Sequence, residues 1–203
     1  ILCYTVIIFE LMANNTKRNR FFDKTLVLIH EKGFKATTMR DIAQNLKFEV
    51  ANVYNYIDSK QSFLEELLFG IQQEFLLAMD TIERSEYDAR EKLELIIGSY
   101  IQITSERPYE QALLVNEWRN LKEAKLQEFV KRRTDYERQL ENIIQDGKEI
   151  GQFRDLDTEI TSKMILATLR WSYQKFLDKS VQNDPLVIKK QLIDFICHGI
   201  IRN

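Results

Sequence analysis

Six glycines and two prolines are spread through 203 residues, and this scarcity constrains the fold more than any other feature. β-Sandwiches and α/β folds need turn residues about every ten positions, so a chain this poor in them is read as helical throughout. Its 44% hydrophobic and 30% charged content excludes global disorder and collagen-like repeats. The length suits one large domain or two small ones. Cys3 and Cys197 are too few for a disulfide framework. With a formal net charge of −2, any attraction to nucleic acid or to a membrane must be local.

The opening stretch Ile1–Met12 (ILCYTVIIFELM) is apolar but shorter than the ~20 residues of a membrane-spanning helix. It also lacks the basic flank and cleavage site of a signal peptide. Met12-Ala13-Asn14-Asn15 reads as a natural start with a polar lead-in. Residues 1–13 are therefore expected to be a non-native or unstructured-to-helical extension, and the physiological chain to begin at Met12.

The remainder reads as about nine helices. Lys17 to Lys32 carries Phe22, Leu26 and Ile29 at helical spacing, with Gly33 where a C-terminal cap belongs. Thr38-Met39-Arg40-Asp41 and Asp88-Ala89-Arg90-Glu91 are capping boxes. They open helices to Leu46 and to just before Pro108. Between them lie a short helix from Val50 to Tyr56 and a long one after Asp58-Ser59. Helices over Tyr109–Leu121, Glu123–Ile150, Thr158–Lys179 and Pro185–Ile200 complete the set, the last with Asp184 as cap and Pro185 at its first position.

Charge is unevenly shared. Asn14 to Leu64 holds nine basic and five acidic residues, so the rest of the chain is net acidic. A basic helical head (residues 14–61) on an acidic helical body (62–203) describes a two-part protein with an anion-binding end.

Two short helices joined by a tight turn, after a longer amphipathic one, form a helix-turn-helix pattern. Phe21 to Leu64 resembles the DNA-binding domain of the TetR (tetracycline-repressor) family of transcriptional regulators. The match lies in Glu31-Lys32-Gly33-Phe34, Thr37-Thr38, Asp41-Ile42-Ala43, Val53-Tyr54-Asn55-Tyr56 and Ser59-Lys60. The resemblance implies a double-stranded operator as partner. It places the third helix in the major groove, with Val50, Ala51, Asn52, Tyr54, Asn55 and Tyr56 at the interface. Tyr56 and Lys60 are then expected at phosphates, and Thr38 and Arg40 near the backbone. Asn52 and Asn55 suit base edges, because a side-chain amide can pair bidentately with adenine. For Tyr54, packing on the first helix is the alternative to DNA contact. Departures stand at Lys47, where the family has a turn glycine, and at Glu49 and Val50, where it has Ser or Thr and then a polar or basic residue. A helical dimeric scaffold or adaptor that has lost specific DNA binding is thus the competing reading.

The body shows no Gly-x-Ser-x-Gly, His-Glu-x-x-His or phosphate loop, so neither catalysis nor a metal or cofactor is expected. Leu126, Phe129, Arg133, Tyr136, Leu140, Ile143, Gly147 and Ile150 share one helix face, with Arg133 amid the apolar stripe. Met164–Gln174 is apolar nearly all round, which reads as burial, yet contains Arg170. A buried charge needs a partner. Either Glu117 pairs with Arg133 or Arg170 to orient the helices, or one arginine, with Tyr100, Trp118, Tyr136 or Trp171, meets an anionic or polar ligand.

Glu117–Leu121, Arg133 with Tyr136, and Leu169–Tyr173 resemble a TetR subgroup of fatty-acid-degradation repressors, which implies release by long-chain acyl-coenzyme A. Trp171, Phe176, Phe195, Ile196 and Ile200 exceed what one small core absorbs and are expected at a homodimer interface. The combined expectation is an all-α, cytoplasmic, homodimeric repressor, a three-helix head fused to a six-helix body, released from DNA by a small hydrophobic or amphipathic effector and not bound to membrane.

Overall fold

The computed structural model describes the backbone of residues 2–178, 180–181 and 183–201, with side chains from residue 17 onward. Its described residues form ten α-helices and one short 3-10 turn, with no strand. They divide into two compact units, residues 1–66 and 67–203.

The first unit holds α1 (Leu2–Lys32), α2 (Met39–Leu46), α3 (Val50–Val53) and the start of α4 (Lys60–Glu83). Helix α1 begins fifteen residues before the expected Lys17, because nothing upstream of Gly33 breaks a helix and Leu11, Met12 and Ala13 favour one. The side chains of residues 1–16 lie outside the described residues. Gly33 ends α1 at φ +85°, a conformation costly for any residue with a Cβ, and its N–H donates 2.8 Å to the Ile29 carbonyl.

Both halves of the Thr38 capping box form: the Thr38 hydroxyl accepts from the Asp41 N–H, and the Asp41 carboxylate accepts from the Thr38 N–H. A cap of this kind contributes about 1 kcal/mol. Lys32 bonding to Asp41, with help from Thr38, holds the Asp41 carboxyl well below the usual carboxylate range. Phe21, Ile29, Ile42, Val53, Phe63 and Leu64 are buried, with the Phe63 ring 4.9 Å from Phe22 and 6.3 Å from Phe21.

Helix α3 is shorter than the expected 50–56. Glu49 supplies no side-chain cap, and β-branched Val50 and Val53 flanking Asn52 propagate a helix weakly. The chain continues instead as turns, with Tyr56 N–H donating to the Val53 carbonyl at 3.0 Å. Lys47, where the family has glycine, adopts the left-handed conformation at φ 58°.

The second unit contains the rest of α4, then α5 (Ala89–Glu106), α6 (Pro108–Asn116), the 3-10 turn Trp118–Asn120, α7 (Glu123–Glu149), α8 (Thr158–Arg170), α9 (Ser172–Leu177) and α10 (Pro185–Ile200). Helix α5 packs against every α-helix from α6 to α10 and carries Leu93, Ile96, Ile97 and Ile101 into the core, each worth about 1.5–3 kcal/mol of burial. Gly147 lies under the Phe153 ring, where a Cβ would overlap the ring, and accepts the Phe153 N–H at 2.9 Å.

Two expected helices are each divided. Tyr109–Leu121 becomes α6 and the 3-10 turn. Thr158–Lys179 becomes α8 and α9 with a bend at Trp171; its final Lys179 lies outside the described residues.

Candidate DNA interface and ligand cavity

In the first unit, the α2–α3 segment leaves Thr38, Arg40, Val50, Ala51, Asn52, Tyr54 and Asn55 exposed. Tyr54 is 53% exposed, so the packing considered for it belongs to its neighbour. Tyr56 stacks on Phe21 of α1, ring centroids 4.6 Å apart and nearly parallel, and its other neighbour is Phe48 at 5.9 Å. Lys60 turns toward the chain's own backbone. Its ammonium donates to the carbonyls of Phe34 at 2.5 Å and Thr37 at 2.6 Å and sits 4.3 Å above the Phe34 ring. It ties the start of α4 to the α1–α2 turn, a positioning role that sequence spacing does not reveal.

Lys60→Ala is therefore expected to lower the head's stability by roughly 1–2 kcal/mol and its DNA affinity with it. Asn55→Ala, on an exposed residue, should leave melting unchanged and alter which operator bases matter. Thermal melts beside mobility shifts on a set of mutated operators check both.

In the second unit, a cavity of about 130 Å³ opens between α4, α5, α6, α7 and α8. Phe75 of α4 lies 4.8 Å from the Tyr100 ring of α5 and 6.4 Å from that of Tyr136 on α7. Trp118 stacks on Phe129 at 6.0 Å and carries the Arg133 guanidinium 4.9 Å from its ring. Burial pushes the Tyr100 and Tyr136 phenols upward, so both remain neutral. Arg133 and Arg170 converge on one carboxylate, Glu137 Oε1, at 3.6 and 3.4 Å. Arg132 pairs instead with Glu128 at 2.6 Å. Two guanidiniums thus share one carboxylate at the cavity, which favours an anionic visitor.

Five of the six residues expected to meet a ligand line this cavity: Tyr100, Trp118, Arg133, Tyr136 and Arg170. Trp171 does not; it lines a separate groove with Val187 and Phe195 on α10. The arginines are not buried as the apolar surroundings implied. Their side chains are 39% and 43% exposed, because their long stems carry the charge outward. Glu117, the carboxylate favoured from sequence, accepts from Asn120 Nδ2 at 2.5 Å. The i, i+4 spacing of Arg133 and Glu137 was the available signal for this pairing.

The groove also revises the dimer expectation. Ile196 and Ile200, at 6% and 2% exposed, are core residues of their own chain, and Phe176 is partly buried against that core. Exposed apolar residues on α8, α10 and the bend between α8 and α9 are Ile160, Met164, Trp171, Leu186, Val187 and, at 70%, Phe195. Met164–Gln174 is apolar on both sides, yet only one side is covered within the chain.

The sequence pattern of bacterial regulatory proteins of the tetR family matches residues 21–67, and that of the tetracyclin repressor-like C-terminal domain matches residues 86–200. The chain belongs to the TetR family. Its fold is the family's, and the family consists of DNA-binding transcriptional regulators, not enzymes.

The HTH-type transcriptional repressor KstR2 of Rhodococcus jostii (strain RHA1) is 25% identical over 161 residues, covering 76% of this chain and 79% of that protein. The structure of the ketosteroid transcriptional regulator KstR2 of Mycobacterium tuberculosis is similar with a TM-score of 0.85 and 20% identity, over 92% of this chain and 96% of that one. That of AibR, in complex with isovaleryl coenzyme A and operator DNA, is similar at 0.73 and 17%, over 90% and 96%. Among the described residues, no helix of this TetR-family chain is long and apolar enough to cross a membrane.

Proposed function

We propose that this TetR-family protein is a cytoplasmic, homodimeric repressor that leaves its operator when an anionic amphipathic effector enters the body cavity. The observation that carries the reading is the aromatic cavity with Arg133 and Arg170 sharing Glu137. Such a site buries an apolar group and receives a negative charge beside it. An acyl-coenzyme A thioester has that chemistry, and one such compound, isovaleryl coenzyme A, is present with operator DNA in the AibR complex.

Helix α4 runs from Lys60 to Glu83 and includes Phe75 and Leu76 of the cavity wall, so one helix belongs to both units. A ligand displacing that wall reaches the head through α4, and a preference of about 2–3 kcal/mol for the displaced state lowers operator affinity roughly 30- to 150-fold. The DNA-facing set is Thr38, Arg40, Val50, Ala51, Asn52, Tyr54 and Asn55, with Tyr56, stacked on Phe21, and Lys60 holding their frame.

The experiment is a mobility-shift titration on DNA upstream of the protein's own gene, with and without acyl-coenzyme A. Retarded DNA that is released by the thioester supports the reading. A protein that retards no such DNA, at low salt where phosphate contacts are strongest, is instead the adaptor that Glu49 and Val50 made conceivable.

A further inference from the structure

Two glutamines in the cavity wall are out of keeping with a purely hydrocarbon ligand. Gln111 is fully buried and Gln72 nearly so, and the side-chain oxygen of each has no hydrogen-bond partner. Gln72 Nε2 donates at 3.1 Å to the backbone oxygen of Phe129. A carbonyl oxygen only accepts, so this bond sets which way the Gln72 amide faces, and its oxygen is the unsatisfied atom. Gln111 Nε2 lies 2.6 Å from the Tyr100 hydroxyl. A phenol both donates and accepts, so in either orientation of the amide this pair spends one hydrogen bond and keeps a donor and an acceptor for a third group. Leaving buried amide oxygens unpaired is costly, and a leucine of similar shape would avoid the cost.

We infer that the effector carries a hydroxyl or N–H group at its buried end, donated to the side-chain oxygen of Gln72, with the Gln111–Tyr100 pair of the same wall supplying a further donor and acceptor to that group. The inference rests on the reading of the cavity as the effector site and narrows its ligand to a short hydroxylated acyl group or a single hydroxylated ring, joined to an anionic portion at the arginines. Volume agrees with this class. The cavity of about 130 Å³ is close to the ~150 Å³ that accommodates benzene in another protein, so a group of about six heavy atoms fills it.

The test is calorimetric titration of the purified full-length protein with butyryl-, 3-hydroxybutyryl-, 4-hydroxybutyryl- and hexadecanoyl-coenzyme A. One hydroxylated thioester is expected to bind at least about tenfold more tightly than butyryl-coenzyme A, and hexadecanoyl-coenzyme A more weakly than either. In Gln72→Leu and in Gln111→Met, made separately so that one poorly folded variant leaves the other, the hydroxyl preference should fall toward unity. Ligand-free Gln72→Leu should melt no lower than the unsubstituted protein. Equal binding of butyryl-coenzyme A overturns the inference, as does a preference that survives both substitutions. If butyryl-coenzyme A binds and releases DNA with no hydroxyl preference, the cavity reading stands and this inference alone falls. If no thioester of the series binds, both fall.

Discussion

Phe195→Glu is expected to leave the protein folded, convert the dimer to monomers and weaken operator binding by about 100-fold or more. Phe195 is 70% exposed on α10, beside the groove lined by Trp171 and Val187, so glutamate there disturbs no core. At a two-fold interface each copy presents the same patch, so the substitution buries one carboxylate in each half of it. The loss in DNA binding follows from valency: two linked half-site contacts exceed one by ~10²–10⁴ in avidity. Light scattering gives the mass and mobility shift the affinity. Ile196→Ala is the contrast, one residue along the same helix. It is buried in the chain's own core, so it should lower stability by ~2–5 kcal/mol and leave the dimer intact. A stable Phe195→Glu dimer would place the interface elsewhere.

Arg170→Met and Arg133→Met are expected to preserve folding and DNA binding while raising the effector concentration needed for release by roughly 30-fold, about 2 kcal/mol of lost charge-assisted contact. Methionine keeps the apolar stem and removes the charge. Both arginines are two-fifths exposed, so their pairing with Glu137 contributes at most ~1 kcal/mol, and the melting temperature should hardly move. Glu137→Gln has the opposite sign. It withdraws the carboxylate that competes with the effector and should tighten binding. A purely structural role for the arginines predicts lowered melting with unchanged release. Melts beside mobility-shift titrations with acyl-coenzyme A separate the outcomes.

Local signals in the sequence carried the helix-turn-helix head. The Thr38–Asp41 and Asp88–Glu91 boxes, the left-handed Gly33 and the Asp184-Pro185 start each act within four residues of backbone, so the chain's own order states them. One ring of the aromatic wall was also legible, since Tyr136 stands at helical spacing in the apolar stripe of α7. What decided the rest acts between residues far apart. Arg170 meets Glu137 across 33 residues of chain, and Lys60 reaches the Phe34 carbonyl across 26. Neither pairing leaves a mark in the intervening sequence.

Periodicity likewise assigns an apolar residue to a helix face without saying what covers that face. Ile196 and Phe195 are adjacent and equally apolar, yet the packing of α5 on α10 buries one and leaves its neighbour to solvent or a partner. The amino-acid sequence by itself determined the all-helical class, the capping boxes and the family. Only the tertiary structure decided which carboxylate the arginines share, which amide oxygens are left without a partner, and which side of α10 remains uncovered, because burial and pairing are properties of the surfaces that meet and not of the segment that carries them.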